Sequence, residues 1–340
     1  MTTDHQRALD ELIRKGRVHL YKPIQIAEIL RRDRIMKDIE LSKIETYRNP
    51  SRKWRDEVSV RLVGSVSTSN SRYQDDIFRA VTPINLVKLG RENRTDAGGV
   101  EARIYRALGD RWKQLSGALA YCEQADPESF ILQDFLGMFS EEPGLVRSVD
   151  KILEAVTYAI LSLVLEELHV TVRVTVHDER GLGEVFSRYL NAVLGLGEGT
   201  NERDTAAAFF RVGVANAADR GLDLVSNFGP IVQVKHLALT ERLAERIAEV
   251  VQSDQVVIVC RSADAATIRS IFEHPDLSER VQAILTEADL AAWYEHALNS
   301  DTELELGVDL LDRLRSQLRQ EFPHVAGYVA FMEERGYGLA

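Results

Sequence analysis

Asp219-Arg220-Gly221-Leu222-Asp223-Leu224 and Gly229-Pro230-Ile231-Val232-Gln233-Val234-Lys235-His236 stand on either side of Val225-Ser226-Asn227-Phe228. Two short apolar runs around the turn Asn227-Phe228-Gly229-Pro230 predict paired strands, Gly221–Ser226 against Ile231–Leu237. A turn centred on Phe228 sets Asp223 opposite Gln233. Residues two apart on a strand share a face, so Gln233 and Lys235 point the same way. Opposed Cβ atoms lie roughly 5 Å apart and diagonal ones roughly 7–8 Å. Asp223, Gln233 and Lys235 are therefore expected to converge, while Leu222, Leu224, Val232 and Val234 face the core.

The flanking sequence extends this hairpin into a sheet. Thr240 opens an amphipathic helix with Leu243, Ile247 and Val251 spaced by four, and Val256–Cys260 is a fully apolar strand. A helix (Ala263–Phe272), a strand (Val281–Leu285) and helices at Leu290–Leu298 and Asp309–Phe322 follow. Upstream, Lys151–Glu167 reads as an apolar helix, Leu168–Val176 as a strand, Gly183–Leu196 as a helix and Ala206–Ala215 as a buried strand. The fold class is α/β, a mixed central sheet flanked by helices, with a mostly helical N-terminal region. The expected division is 1–149, helical and basic, and 150–340, α/β and catalytic with C-terminal helices.

The chain has 340 residues, 45% hydrophobic and 28% charged, which excludes a disordered or fibrous protein. Two cysteines, Cys122 and Cys260, exclude a disulfide framework and a cysteine zinc site. The most apolar stretch, Ala155–Leu165, is too short to span a bilayer, and the first residues hold no signal-peptide core. A cytoplasmic protein with no membrane contact is expected. The net charge of -11 conceals an asymmetry: residues 1–120 carry 24 Lys+Arg against 16 Asp+Glu, leaving 18 against 37 in the remainder. The first part is thus suited to a polyanion.

The convergent triad suits phosphodiester hydrolysis. Asp223 offers a hard oxygen ligand to Mg²⁺ and the Gln233 amide a second, neutral one. A cation there polarises the phosphate and acidifies a bound water, and Lys235 holds that water or offsets developing charge. A neutral Gln calls for another carboxylate: Glu184 is the candidate, with Asp219 and Glu202 as alternatives. In the basic region, Arg48, Arg52, Lys53 and Arg55 are candidates to neutralise phosphates, and Ser67, Thr68 and Ser69 to donate to them. His236 alternates away from Lys235, Cys260 reads as core, and the glycines at 195, 197 and 199 lack the Lys-Ser/Thr of a phosphate-binding loop.

Helix, strands, helix and strand around this triad resemble the PD-(D/E)xK nuclease core, in the variant with Gln for the acidic residue. Lys15–Glu28, Tyr47-Arg48-Asn49-Pro50, Ser65–Phe78 and Asp219–Leu237 further resemble HaeII-type type II restriction endonucleases. In the motif Asp223, Gln233 and Lys235 match, whereas Leu222 stands where a proline usually precedes the Asp. The resemblance implies a Mg²⁺-dependent homodimer cutting both strands of double-stranded DNA at a short palindrome, purine-GCGC-pyrimidine or a related site. A cognate methyltransferase acting on the same site without a stable complex is implied too. The alternatives are a repair or junction-resolving nuclease, and a non-enzymatic DNA-binding protein with an inert nuclease-like core.

Overall fold

The computed structural model describes residues 3–16, 18–67, 76–142, 144–178, 180–197, 199–212, 222–236, 238–250, 255–261, 264–299, 306–322 and 327–338. The chain divides into two compact units, one comprising residues up to Ala155 and again from Glu295, the other 156–212 and 222–294.

The first unit is helical. Its central helix, Tyr21–Arg31, is buried on every side from Pro23 to Leu30, which an amphipathic surface helix could not be. Around it lie Asp4–Lys15, Pro50–Val63, Pro83–Thr95 and Gly99–Gln124. Proline opens two of these helices, where its missing N–H costs no hydrogen bond. Because the central helix carries polar residues inward, each needs a partner. Gln25 donates to Ser51 Oγ at 2.9 Å, and Glu28 accepts from the Tyr105 hydroxyl at 2.6 Å and from Arg335 at 3.2 Å. Nearby, fully buried Glu101 accepts from Arg34 Nε and NH2, each at 2.9 Å, from Asn93 Nδ2 at 2.6 Å and from the Tyr337 hydroxyl. Burial, together with that anionic neighbour, pushes the Tyr337 hydroxyl upward in pKa.

The helix Leu306–Glu321 groups with this unit, although the sequence division assigns it to the α/β region. It buries Leu310, Leu311, Leu314 and Leu318, and Arg315 donates to the carbonyls of Cys122 at 3.1 Å and Ala125 at 2.6 Å. Tyr328–Glu334 seats Phe331 against Tyr105, with ring centroids 4.8 Å apart.

The second unit is mixed α/β. β1 (Thr171–Thr175) and β2 (Glu202–Ala206) form an antiparallel pair. β3 (Phe209–Arg211), β4 (Leu224–Ser226), β5 (Ile231–Lys235), β6 (Val256–Cys260) and β7 (Val281–Thr286) form a sheet in that order. β3, β4 and β5 run antiparallel; β5, β6 and β7 run parallel, joined through the helices Glu241–Val250 and Ala265–Glu273. Thr240 Oγ1 accepts from the Leu243 N–H at 3.3 Å, as a cap at that helix start should. Val251, counted on its apolar stripe, lies outside the described residues.

Two expectations change. The strand expected over Ala206–Ala215 is broken between two sheets. Asn227 makes the break: its Nδ2 donates to the Ala206 carbonyl and its Oδ1 accepts from the Ala208 N–H, both at 2.8 Å. The helix expected over Gly183–Leu196 is only Ser187–Leu194, preceded by a turn and ended by Gly195 in the left-handed region, φ 68°. Among the described residues no helix is long and apolar enough to cross a membrane.

Glu28→Ala leaves Arg335 with no carboxylate from the central helix, the situation in which a broken buried pair costs about 3–5 kcal/mol. Denaturant unfolding of the full chain should show the first unit's transition lowered accordingly; a change below about 1 kcal/mol would mean that the pair contributes little.

Candidate active site

β4 and β5 pair Leu224 with Val232 and Val225 with Ile231, so the next step outward sets Asp223 opposite Gln233. The ladder continues there, with Asp223 N–H donating to the Val232 carbonyl at 3.4 Å. The Asp223 carboxylate reaches further along β5: Oδ2 accepts the Val234 N–H at 2.7 Å and lies 3.8 Å from Lys235 Nζ. A carboxylate that takes a backbone N–H and faces an ammonium is held in one orientation. Asp223 and Lys235 are each half-buried, enough to strengthen their attraction while leaving a route to solvent.

Leu224, Val232 and Val234 enter the core as the strand pattern requires. Gln233, expected on the open face with Lys235, is itself buried at 3% exposure. β6 lies parallel to β5, pairing Gln233 with Ile258 and Lys235 with Cys260, and this face is roofed by Ala244 and Ile247 of the helix after Thr240. The open part of the site is consequently its Lys235 end. Cys260 is fully buried and its thiol is pushed up to about 11 by burial, so it is no nucleophile at neutral pH.

The Asp223 carboxylate and the Gln233 amide are hard oxygen donors of the type Mg²⁺ takes. Among the described residues no three His, Cys, Asp or Glu side chains gather into a metal-holding group. Of the donors expected from the sequence, the hairpin register brings together one carboxylate, Asp223, and one amide, Gln233. Glu184 stands exposed in the turn before Ser187, Glu202 begins β2 in the other sheet and is exposed, and Asp219 lies outside the described residues.

The same sheet edge holds residues passed over in the sequence. Parallel strands present their C-terminal ends together, and after Lys235 and Cys260 comes Thr286 at the end of β7. The next residues, Arg261 and Glu287, are 3.4 Å apart, and burial raises the Glu287 carboxyl. Their signal was positional: each directly follows a parallel strand.

The basic stretch is less uniform than its sequence suggested. It lies on the helix Pro50–Val63 and the turn before it. Arg48 and Lys53 are exposed and Arg52 is half-buried. Arg55 is buried at 1%, its Nε 2.8 Å from Asp56 Oδ1 and its NH1 3.3 Å from the Gln25 amide oxygen. A guanidinium committed in this way holds the helices together and is not available to a phosphate. Ser67 is half-buried, whereas Thr68 and Ser69 lie outside the described residues.

Residues 5–337 match the family model described as HaeII restriction endonuclease. The chain is 43% identical to the type II restriction enzyme HaeII of Haemophilus aegyptius, over 98% of this chain and 97% of that one. It is 42% identical to the type II restriction enzyme NgoBI of Neisseria gonorrhoeae, over 100% and 99%. No solved structure matches.

The contrast between Arg55 and Lys53 is measurable. Arg55→Ala should lower the thermal stability of the protein by about 3 kcal/mol or more, because Gln25 and Asp56 lose a buried partner. Lys53→Ala should stay within about 0.5 kcal/mol; equal effects would refute the distinction.

Proposed function

The chain belongs to the HaeII restriction endonuclease family, and we propose that it is a Mg²⁺-dependent homodimer cutting both strands of a short palindrome, purine-GCGC-pyrimidine or a close relative. The protein is a type II restriction enzyme, a site-specific deoxyribonuclease, and DNA is its partner. The observation that carries the mechanism is the Asp223–Lys235 pair at the open end of β5, on a hairpin whose register also presents Gln233. We assign the sheet β3–β7 with its helices to the PD-(D/E)xK type on that constellation.

In this reading Asp223 and the Gln233 amide oxygen hold Mg²⁺, with Glu184 the proposed additional carboxylate. Bound there, the ion supplies Lewis-acid polarisation of the phosphate and a more acidic water. Lys235 stands beside Asp223, where it orients the attacking water and offsets negative charge on the phosphorane-like transition state. The water oxygen bonds to phosphorus as one ester P–O bond breaks, and the departing oxygen takes up a proton. Asp223 holds Lys235 in place through the 3.8 Å contact and takes its own orientation from the Val234 N–H.

Exposed Arg48 and Lys53, with half-buried Arg52 and Ser67, are proposed to contact backbone phosphates, while Thr68 stays a candidate from sequence only. Such contacts release counterions, so affinity should fall by roughly a factor set by the number of phosphates neutralised when salt rises. A restriction enzyme in a cell implies a methyltransferase that modifies the same site without a stable complex.

Incubation of the purified protein with unmodified phage DNA should give sharp fragments with Mg²⁺ and none with EDTA. A sequence-independent smear, or intact DNA across metal and salt conditions with folded protein, would overturn the reading.

A further inference from the structure

One cleft in the helical unit gathers four guanidinium groups. It has a volume of about 230 Å³ and is walled by Arg31, Arg32, Arg61 and Arg335, with only two carboxylates, Glu28 and Glu57, in its lining. Three of the four arginines are fixed before any ligand arrives. Arg32 stands over the Trp54 ring at 5.0 Å, and its Nε donates to Asp38 Oδ1 at 2.8 Å. Arg61 and Arg335 stand over the Phe331 ring at 5.3 and 4.8 Å. Arg61 NH2 donates to Glu334 Oε2 at 2.6 Å, and Arg335 NH1 to Glu28 Oε1 at 3.2 Å. Asp38 and Glu334 are not part of the lining. A guanidinium carries five N–H donors, so these bonds leave each arginine with donors to spare. Arg31 differs: half-buried at the end of the central helix, its side chain makes no hydrogen bond or ion pair among the described residues. Its charge nonetheless reaches Glu334, whose carboxyl lies below the usual range chiefly through Arg61 and to a smaller extent through Arg31.

We propose that this cleft is a phosphate site that takes one backbone phosphate of bound DNA, with Arg31 as the arm that closes on it. An arginine fork meets two phosphate oxygens at once, and such charge-assisted bonds are the strong ones. Guanidiniums already stacked and paired lose little freedom when the ligand arrives. Shape selects a phosphate over a base. Phosphates stand on the ridges of a duplex and enter a concave site, whereas base edges lie in the grooves and are read by elements that protrude. The cleft also continues the surface proposed above to meet DNA. Residues 53, 57 and 61 recur by four on the helix Pro50–Val63, so exposed Lys53 shares the stripe that lines the cleft. Lys53 and Arg61 are about 12 Å apart along the helix axis, roughly three to four base-pair steps of about 3.4 Å. Glu57 stands between them, exposed and without an ion pair among the described residues, and opposes the phosphate. The inference rests on DNA as the partner and on no feature of the catalytic pair.

The test is the affinity of the full-length protein for labelled duplexes with and without the target, by fluorescence anisotropy in EDTA across a salt series. Arg31→Ala should weaken both duplexes alike, by roughly 5–10-fold at about 0.1 M salt, and lower the slope of log affinity against log salt by about 0.9, one phosphate's share. Its thermal unfolding should match the wild type, since Arg31 has no bond to lose. Glu57→Gln should tighten both duplexes by about 2-fold or more, a gain that damage to the fold cannot mimic. Wild-type affinity and slope in Arg31→Ala, no tightening by Glu57→Gln, or a loss confined to the target duplex would overturn the proposal. Inorganic phosphate separates the other source of the same chemistry. If it raises the melting temperature of the wild type above that in chloride of equal ionic strength, and not that of Arg31→Ala, while both bind DNA equally, the cleft serves a free phosphate and the proposal falls. Phage DNA cleavage is scored separately. A wild type that never cuts, but whose salt slope drops with Arg31→Ala, removes the proposed catalysis and keeps the phosphate site; a wild type that cuts, with the slope unmoved by Arg31→Ala, does the reverse.

Discussion

One carboxylate oxygen ties the local structure to the chemistry. Asp223 Oδ2 accepts the Val234 N–H at 2.7 Å and lies 3.8 Å from Lys235 Nζ, so a single atom locks β4 to β5 and positions the ammonium. β4 is only three residues long, too short to fix its register by ladder bonds alone. A one-residue slip would turn Asp223 away from Lys235 and push Leu224 and Val232 out of the core. The short strand and the Asp223 bond to the Val234 N–H therefore specify each other, and the parallel pairing of β5 with β6 supplies the rigid side against which both are set.

The helical unit meets a different constraint. Its central helix is buried all round and carries Gln25 and Glu28 inward, so stability depends on satisfying them. Ser51, Arg55, Tyr105 and Arg335 do so from three other parts of the chain. Basic residues in this unit consequently divide into those spent on the interior, such as Arg55, Arg34 and Arg335, and those left outside, such as Arg48 and Lys53. A count of positive charge overstates what is offered to a polyanion, and the surplus in residues 1–120 is partly structural.

Much of the α/β unit was legible from particular residues. The turn at Phe228 fixed the opposition of 223 and 233, because hairpin register follows from the turn. Val256–Cys260, five apolar residues in a row, could only be a strand covered on both faces. What was not legible is tertiary. Gln233 is polar and two residues from Lys235, yet it is buried beside β6, and nothing local encodes that burial. The break at Ala207 depends on the side chain of Asn227, twenty residues downstream. Arg55 reads like its basic neighbours until Gln25, thirty residues earlier, is packed beside it.

The central claim is that Asp223 and Lys235 act on the phosphate and not merely on the fold. It is tested most directly by comparing cleavage and specific DNA binding of Lys235→Ala with the wild type, at matched salt and Mg²⁺. The account predicts cleavage reduced by about 10²–10³-fold or more, with target binding and thermal unfolding little changed. Cleavage at the wild-type rate, or equal loss of binding and cleavage through unfolding, would contradict it.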